Sequence, residues 1–427
     1  ETTTETAMTG TMASEMASET AMGVAEAPAV RPGEVPADLP NGLLVTYSPF
    51  TQNDQGRWTQ PAAARLELIS RRGGEWRVDV ITDDDSNVFH KAMVYTRPNT
   101  PPAILTVGGM GAHVKLWRNE PTGWTAESIW TETFDGTDRM RDVEVADLFG
   151  DGVPAMAVAT HDRGVFAVIR PGENGAWNVQ QTPRTPSRIF IHEIEIGDLN
   201  GDGTLEVYAT PSEPNTMDGA QSGEVVRYVP RESMEPTVVA NLGDRHAKEI
   251  YVGDVDGDGR DELYVSVEGA MARGENGLEV TTPVEIRRYE AGTDPSEGVV
   301  IARIEGDHLM RFLTVGDIDG DGKKEMVAAG FSKGLWLLRP GANPNEEWSR
   351  ESIDRDSGGF EHTSLLADLD GDGTDELYVA SDNDGELRRY VWINGRPRRT
   401  VIHSRNEARS MITWNLAVAP TALLRGQ

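Results

Sequence analysis

The chain has 427 residues, is 38% hydrophobic, and carries 70 acidic against 40 basic residues for a formal net charge of −30. Its length allows one large core or two ordinary ones. Its charge argues against nucleic acid and anionic membrane surfaces, which need clustered Lys and Arg, and favours cations as ligands. The absence of cysteine excludes disulfides and thiolate metal sites, and no apolar run is long enough to cross a bilayer as a helix.

Residues 1–40 contain the stretch "ETTTETAMTGTMASEMASETAMGVAEAPAV", and the first aromatic residue is Tyr47. A Thr/Ala/Met/Glu-rich segment of this kind buries too little surface to offset its ordering entropy. It reads as a disordered tether that could hold residues 41–427 away from a membrane anchor or cell wall. The chain starts at Glu1 rather than Met, which suggests a processed or trimmed N-terminus, with any signal peptide outside the given sequence.

Residues 43–81 read as the later strands of one unit, with the hairpin "LISRRGGEWRVDVI". Residues 90–131 form the next unit, with "LWRNEPTGWTAESIW" as its hairpin. Five related stretches follow: "VEVADLFGDGVPAMAVAT" at 143, "IEIGDLNGDGTLEVYAT" at 194, "IYVGDVDGDGRDELYVS" at 250, "LTVGDIDGDGKKEMVAA" at 313 and "SLLADLDGDGTDELYVA" at 364. Their first aspartates, Asp147, Asp198, Asp254, Asp317 and Asp368, stand 51, 56, 63 and 51 residues apart. A period near fifty suits a four-stranded propeller blade. Apolar and polar residues alternate on both sides of each loop, and a strand–turn–Trp hairpin follows, as in "VIRPGENGAWNVQQ" and "LLRPGANPNEEWSRESI". Residues 409–427, "SMITWNLAVAPTALL" within them, resemble a first strand with no blade behind it.

The expected fold is therefore all-β: a seven-bladed β-propeller of four-stranded blades. Pairing of the N- and C-terminal strands closes the ring and removes its open edges. Unit 90–131 has "YTRPNTPPAILTVGG" in place of an acidic loop.

In the register Asp-x-Asp-x-Asp-Gly-x-x-Glu, side-chain oxygens fall at loop positions 1, 3, 5 and 9, with a backbone carbonyl at 7. The candidate metal ligands are Asp198, Asn200, Asp202, Thr204 and Glu206; Asp254, Asp256, Asp258, Arg260 and Glu262; Asp317, Asp319, Asp321, Lys323 and Glu325; and Asp368, Asp370, Asp372, Thr374 and Glu376. Thr204, Arg260, Lys323 and Thr374 would contribute their carbonyls. Hard oxygens at this density suit Ca²⁺, in about four sites. The loop at Asp147 lacks acids at positions 3 and 9, where Phe149 and Ala155 stand, so no ion is expected there. An EF-hand would need an acid at position 12; Ala209, Val265, Ala328 and Val379 occupy it here.

This pattern resembles the FG-GAP/VCBS repeat of integrin α-subunit propellers and of bacterial secreted and surface proteins. The resemblance is good over residues 140–403 and weak over 43–135. It implies calcium in the loops between the first two strands of a blade, where the ion is structural. Extracellular calcium modules bind at about 10⁻⁴–10⁻³ M, so such loops would fill poorly in the cytosol. An extracellular, cell-surface or periplasmic location follows as an expectation.

Catalysis would need another constellation, and histidine supplies the candidates. His192 and His362 precede their loop aspartates by six residues, His246 and His308 by eight and nine, and His90 holds the comparable place in the loop-less blade. All five are expected near the start of an innermost strand at one channel mouth, close to Arg141, Arg188, Arg245 and Arg311. A His/Arg rim there could take a transition metal, a carboxylate or a sugar acid. Varying offsets, and the lack of His-x-His or His-x-x-x-His pairs, favour plain hydrogen-bonding roles. Trp177 and Trp348 are expected to pack between blades. The leading expectation is a binding module for a protein or glycan; the alternative is a sugar- or polysaccharide-modifying enzyme of lyase or dehydratase-isomerase type.

Overall fold

A computed structural model describes residues 33–424, except 53–54, 56–57, 60–61, 135–137, 215–220, 276 and 406–409. The expected tether lies outside the described residues as far as residue 32. Seven four-stranded antiparallel sheets make the molecule an all-β, seven-bladed propeller. Blade 1 runs from strand Val88–Tyr95 to Gly123–Glu132, blade 2 from Met140–Ala146 to Trp177–Gln181, and blade 3 from Phe190–Gly197 to Ser233–Asn241. Blade 4 runs from Ala247–Gly253 to Val299–Ile304, blade 5 from Met310–Gly316 to Ser349–Asp354, and blade 6 from Ser364–Ala367 to Arg396–Ser404.

Blade 7 is shared by the two ends of the described chain. Its innermost strand is Met411–Ala419, which pairs antiparallel with Gly42–Pro49, from Gly42 opposite Ala419 to Pro49 opposite Met411. Ala64–Arg72 and Glu75–Asp83 complete it. The ring therefore closes through main-chain hydrogen bonds, and no sheet edge faces the gap between first and last blades.

Among the described residues there is no central core. Seven buried apolar clusters sit one at each of the seven blade interfaces: Met140 and Val158 pack on Leu105 and Val114 between blades 1 and 2, and Leu44 and Ala419 pack on Phe89 and Ile104 between blades 7 and 1. Trp348 is buried at the blade 4–5 interface and Trp177 packs at the blade 1–2 interface. This packing corrects one sequence reading. The second strands Ala155–Thr160, Glu262–Val267, Glu325–Gly330 and Glu376–Ser381 are buried at every residue, so they are near-continuous apolar runs rather than alternating ones. Each is sandwiched between two neighbouring blades, so both faces are covered. The 63-residue spacing after Asp254 also gains a cause: blade 4 carries an extra hairpin, Ala270–Gly274 with Gly277–Thr282, between its second and third strands.

All the innermost strands run the same way through the ring. Their first residues therefore gather at one mouth of the channel, and the acidic loops that follow their last residues gather at the other.

Candidate functional site

Each acidic loop is folded first by its own hydrogen bonds. In blade 4 the Asp254 carboxylate accepts from Gly257 N (2.7 Å) and Gly259 N (2.9 Å). In blade 5 Asp317 accepts from Gly320 N, Asp321 N and Gly322 N, and in blade 6 Asp368 accepts from Gly371 N, Asp372 N and Gly373 N. The chain must turn through positive φ at loop positions 4 and 6, +80° and +88° at Gly257 and Gly259, which glycine adopts without strain. At position 5, Oδ1 of Asp202, Asp258, Asp321 and Asp372 accepts from the backbone N–H of Thr204, Arg260, Lys323 and Thr374 respectively.

Three loops bring carboxylate oxygens within 4.8 Å of one another: Asp254, Asp256 and Glu262; Asp317, Asp319 and Glu325; and Asp368, Asp370 and Asp372. An all-oxygen set around a glycine-permitted turn fits a hard cation such as Ca²⁺. The blade 3 loop differs. There Asn200 Nδ2 donates to Asp202 Oδ2 (3.0 Å) and Glu206 Oε1 (3.2 Å), so an amide bridges the acids. The blade 2 loop keeps the same turn, Asp147 accepting from Asp151 N and Gly152 N, although it lacks acids at positions 3 and 9.

The positive charge that these acids demand comes partly from the third strand of the same blade. Arg288 Nη2 lies 2.7 Å from Asp256 Oδ2 and 3.0 Å from Glu262 Oε1, with the guanidinium fully buried. Arg389 Nη2 lies 2.6 Å from Glu376 Oε1 and 3.4 Å from Asp370 Oδ2. Arg227 reaches Glu206 (3.0 Å), and Arg170 binds Asp151. In blades 3, 4 and 6 the residue opposite the Arg on the second strand is a tyrosine, Tyr208, Tyr264 or Tyr378, whose hydroxyl donates to the position 9 glutamate. Blade 5 has Val327 in place of that tyrosine, and Arg339, half-exposed, stands 3.4 Å from Glu325 and 3.7 Å from Asp319. Burial raises Glu262 and Glu376 to about 7, against the pull of Arg288 and Arg389. The third-strand arginines escaped the sequence reading because their separation from the loop varies: 19 residues from Asp370 to Arg389, but 32 from Asp256 to Arg288, across the extra hairpin.

At the opposite mouth the structure separates the five histidines. His90 and His192 line a cavity of about 120 Å³ together with Arg139, Arg141, Lys248 and Arg311, beside Trp414 and Phe360. His246 lies beside the cavity, its Nε2 2.7 Å from Glu268 Oε2. His362 is fully buried between Ser357 Oγ (2.8 Å) and Gly330 O (2.6 Å), and His308 packs against Phe331. The expected convergence of all five therefore holds only for His90 and His192, because His246, His308 and His362 precede their strands rather than lying within them. His161, from the turn after the second strand of blade 2, joins the pair, stacked on Phe190 and edge-on to His192. No sequence offset pointed to it. Burial holds His90, His161 and His192 below the ordinary histidine range, His161 at about 4.

Lys248 is the second residue that sequence reasoning missed. Burial, then Arg311, lowers its amine to about 8. Glu268, 3.3 Å from Arg311 and 3.8 Å from Lys248, is held at about 2 by those cations and His246 in spite of its burial. An adjoining cavity of about 260 Å³ shares Arg141, Lys248 and Arg311 with the first and is also lined by Lys91 and by carboxyl groups, Asp142, Glu193, Glu195 and Glu249 among them. Lys91 Nζ lies 2.8 Å from Asp142 and 3.6 Å from Glu193 and also binds Glu144. Burial, then neighbouring carboxylates, raises Glu193 and Glu195; burial raises Glu249.

Fold and loops together define a β-propeller with repeated acidic loops. Residues 317–379 match the FG-GAP-like repeat, which supports a propeller of that kind. Two relatives cover about half of it. The lambda-carrageenase of Pseudoalteromonas carrageenovora is 24% identical over 46% of this chain and 19% of its own length. Rhamnogalacturonan endolyase YesW of Bacillus subtilis (strain 168) is 25% identical over 48% of this chain and 40% of its own. The chain thus matches well under half of either relative. Among solved structures, a candidate 6-phosphogluconolactonase from Bacteroides fragilis shares the fold at 13% identity and a TM-score of 0.53, covering 89% of this chain and 98% of that one. Among the described residues no helix is long and apolar enough to cross a membrane.

Proposed function

We propose that the protein is an exported, calcium-stabilised propeller that binds a glycan at the mouth of its channel. The observation that carries this reading is the cavity where Arg141, Lys248 and Arg311 meet Trp414 and Phe360. It offers charged donors beside aromatic faces, the combination that orients a polar ring. Relatives named for carrageenan and rhamnogalacturonan chemistry support a glycan over a protein as the ligand. The acidic loops lie at the other end of the channel, so calcium there would brace the blades without meeting the ligand. Asp254, Asp256 and Glu262, Asp317, Asp319 and Glu325, and Asp368, Asp370 and Asp372 would hold it. Affinities of about 10⁻⁴–10⁻³ M suit a compartment outside the cytosol.

The test is a glycan array probed with and without EGTA, alongside thermal melts. Binding to a glycan class, with a melting temperature that falls on chelation, is expected. An array without hits and a melt indifferent to EGTA would overturn the reading.

A second reading, a sugar- or polysaccharide-modifying enzyme, rests on Lys248. A buried amine near 8 between two arginines has the character of a general base. Turnover of a polysaccharide that is abolished in Lys248→Met, with binding retained, would favour it.

A further inference from the structure

We infer that the channel mouth is a subsite for the acid group of an anionic sugar, held by Arg141, Lys248 and Arg311, with the sugar's hydroxyls directed at the carboxyl layer beneath. The inference rests on the glycan reading above and narrows it to a class of glycan.

Charge is the first argument. In a chain of net charge −30, four cations, Arg139, Arg141, Lys248 and Arg311, line one small cavity, and Glu361 is the carboxylate among its lining residues. Glu361 stands 3.8 Å from Arg141, beyond a hydrogen bond, and Glu268 behind the wall engages Arg311 at 3.3 Å and Lys248 at 3.8 Å. Buried cations crowded this closely repel one another unless an anion joins them.

Unmet hydrogen bonding is the second argument. His192 is 3% exposed and its Nε2 has no partner; Arg311 is 7% exposed and its Nε has none. Arg139 Nε and Trp414 Nε1 are likewise unpaired at the same mouth. Buried donors without partners are costly, and an acceptor-rich ligand would meet several at once.

The third argument is shape and polarity along the channel. Trp414 and Phe360 flank the cations, with Arg141 over the Trp414 ring at 4.9 Å and Arg311 over Phe360 at 5.4 Å. Beyond them the deeper cavity presents Glu193, Glu195 and Glu249, carboxyl groups that can pair with a sugar's hydroxyls. The two adjoining spaces, about 120 and 260 Å³, suit one sugar unit rather than a long chain threaded through. A transition metal is disfavoured, because His90 Nδ1 is already spent on Met140 O (2.7 Å) and His246 on Glu268.

Protonation gives an independent readout. Lys248 is faced by Arg139, Arg141, Arg311, Glu361, His90, His161 and His192 in the first cavity, by Lys91, Asp142, Glu193, Glu195 and Glu249 in the second, and by Glu268 behind the wall. Its amine is held at about 8, while His161 sits at about 4 and Glu268 at about 2. Acid-group binding should therefore weaken as the pH rises from about 7 to about 9, when Lys248 loses its charge.

The experiment is saturation-transfer NMR with D-glucuronate, D-glucose and D-glucose 6-sulfate on the full chain and on Arg141→Gln and Lys248→Met. D-glucuronate or the sulfate should bind roughly tenfold or more tightly than D-glucose, and each variant should lose about that factor, as expected for a charged hydrogen bond. Preference between the two acids tells carboxylate from sulfate, and either supports the subsite. The pH dependence should vanish in Lys248→Met. If that variant fails to melt cooperatively, Arg141→Gln decides, since Arg141 is partly exposed. Equal binding of D-glucose and D-glucuronate in all three proteins would overturn the acid subsite and leave the glycan reading standing. Absence of any carbohydrate binding would remove both.

Discussion

Asp261 reaches across a blade boundary. Its Oδ2 accepts the backbone N–H of Asp198, the first residue of the neighbouring blade's acidic loop, at 2.9 Å. Asp375 repeats the contact one pair further on, accepting from Asp317 N at 2.9 Å while its own N–H donates to Asp317 O. Glycine at the end of the inner strand makes room: a Cβ on Gly316 would stand 2.4 Å from Asp375 Oδ2, and one on Gly197 only 2.2 Å from Val252. The loops are therefore tied in pairs, blades 3 with 4 and 5 with 6. Asp261→Ala and Asp375→Ala should each cost about 1–2 kcal/mol through an unmet N–H. Because the two contacts share no partner, the double variant should lose the sum. Chemical denaturation measures all three, and a clearly sub-additive double variant would show that the pairs are linked around the ring.

Arg288 is a stricter case. Its guanidinium is 1% exposed and serves Asp256 and Glu262 together, acids that calcium would also use. Arg288→Met leaves those carboxylates buried without their cation, a loss of about 3–5 kcal/mol when calcium is chelated. Millimolar calcium should return part of that stability, since the ion can supply the missing charge. Arg339→Met should cost much less, because that side chain is 34% exposed and its contacts are 3.4–3.7 Å. Melting both variants with EGTA and with calcium checks the ranking; equal losses in the two blades would contradict it.

The parts of this architecture that repeat were readable in the chain. Strand–loop–strand units around Asp147, Asp198, Asp254, Asp317 and Asp368 fixed the blades, and the orphan strand near Trp414 pointed to closure with the segment after Gly42. What repeats only in space was hidden. Arg288 and Arg389 do the same work at different sequence distances, because a hairpin intervenes in blade 4. His161 and Lys248 belong to different blades and become neighbours only when the ring shuts. The histidines show the opposite failure. His192 and His362 share one offset from their loop aspartates, yet the blade 6 strand starts only at Ser364, so His362 enters a buried bond with Gly330 O while His192, inside Phe190–Gly197, faces the channel.

His161 should make the fold sensitive to acid. Burial, then Arg141 and Arg139, opposes its protonation and holds it at about 4, against 6.5 for an ordinary histidine; nearby Asp162 offsets only part of this. Between those values the unfolded chain takes up a proton that the folded chain refuses, so stability present above about 6.5 is lost as the pH falls towards 4. A shift of this size corresponds to at most about 3 kcal/mol. His161→Phe keeps the stack on Phe190 and removes the titration. Denaturation at pH 7 and at pH 4.5 should show the variant losing less than the parent; equal losses would mean that His161 is protonated freely.

Asp382 latches the ring. It belongs to blade 6, and its carboxylate takes Thr413 N and Thr413 Oγ1 of the closing strand, each at 2.7 Å, while Arg405 binds the same Oδ1. Thr363 Oγ1 adds a bond to Thr413 O at 2.8 Å. Acid and arginine are both buried, so Asp382→Asn removes the charge partner of Arg405 in a nearly isosteric frame. The cost should be about 3–5 kcal/mol. It should also be local at first, because the closing strand is held by pairing with Gly42–Pro49 and by this latch rather than by a covalent turn on either side of the seam. Hydrogen exchange should therefore accelerate in 411–419 and 42–49 under conditions where the strands of blades 2 to 4 stay protected. Uniform acceleration in every blade would show that the ring opens only as one cooperative unit and that Asp382 holds no separate seam.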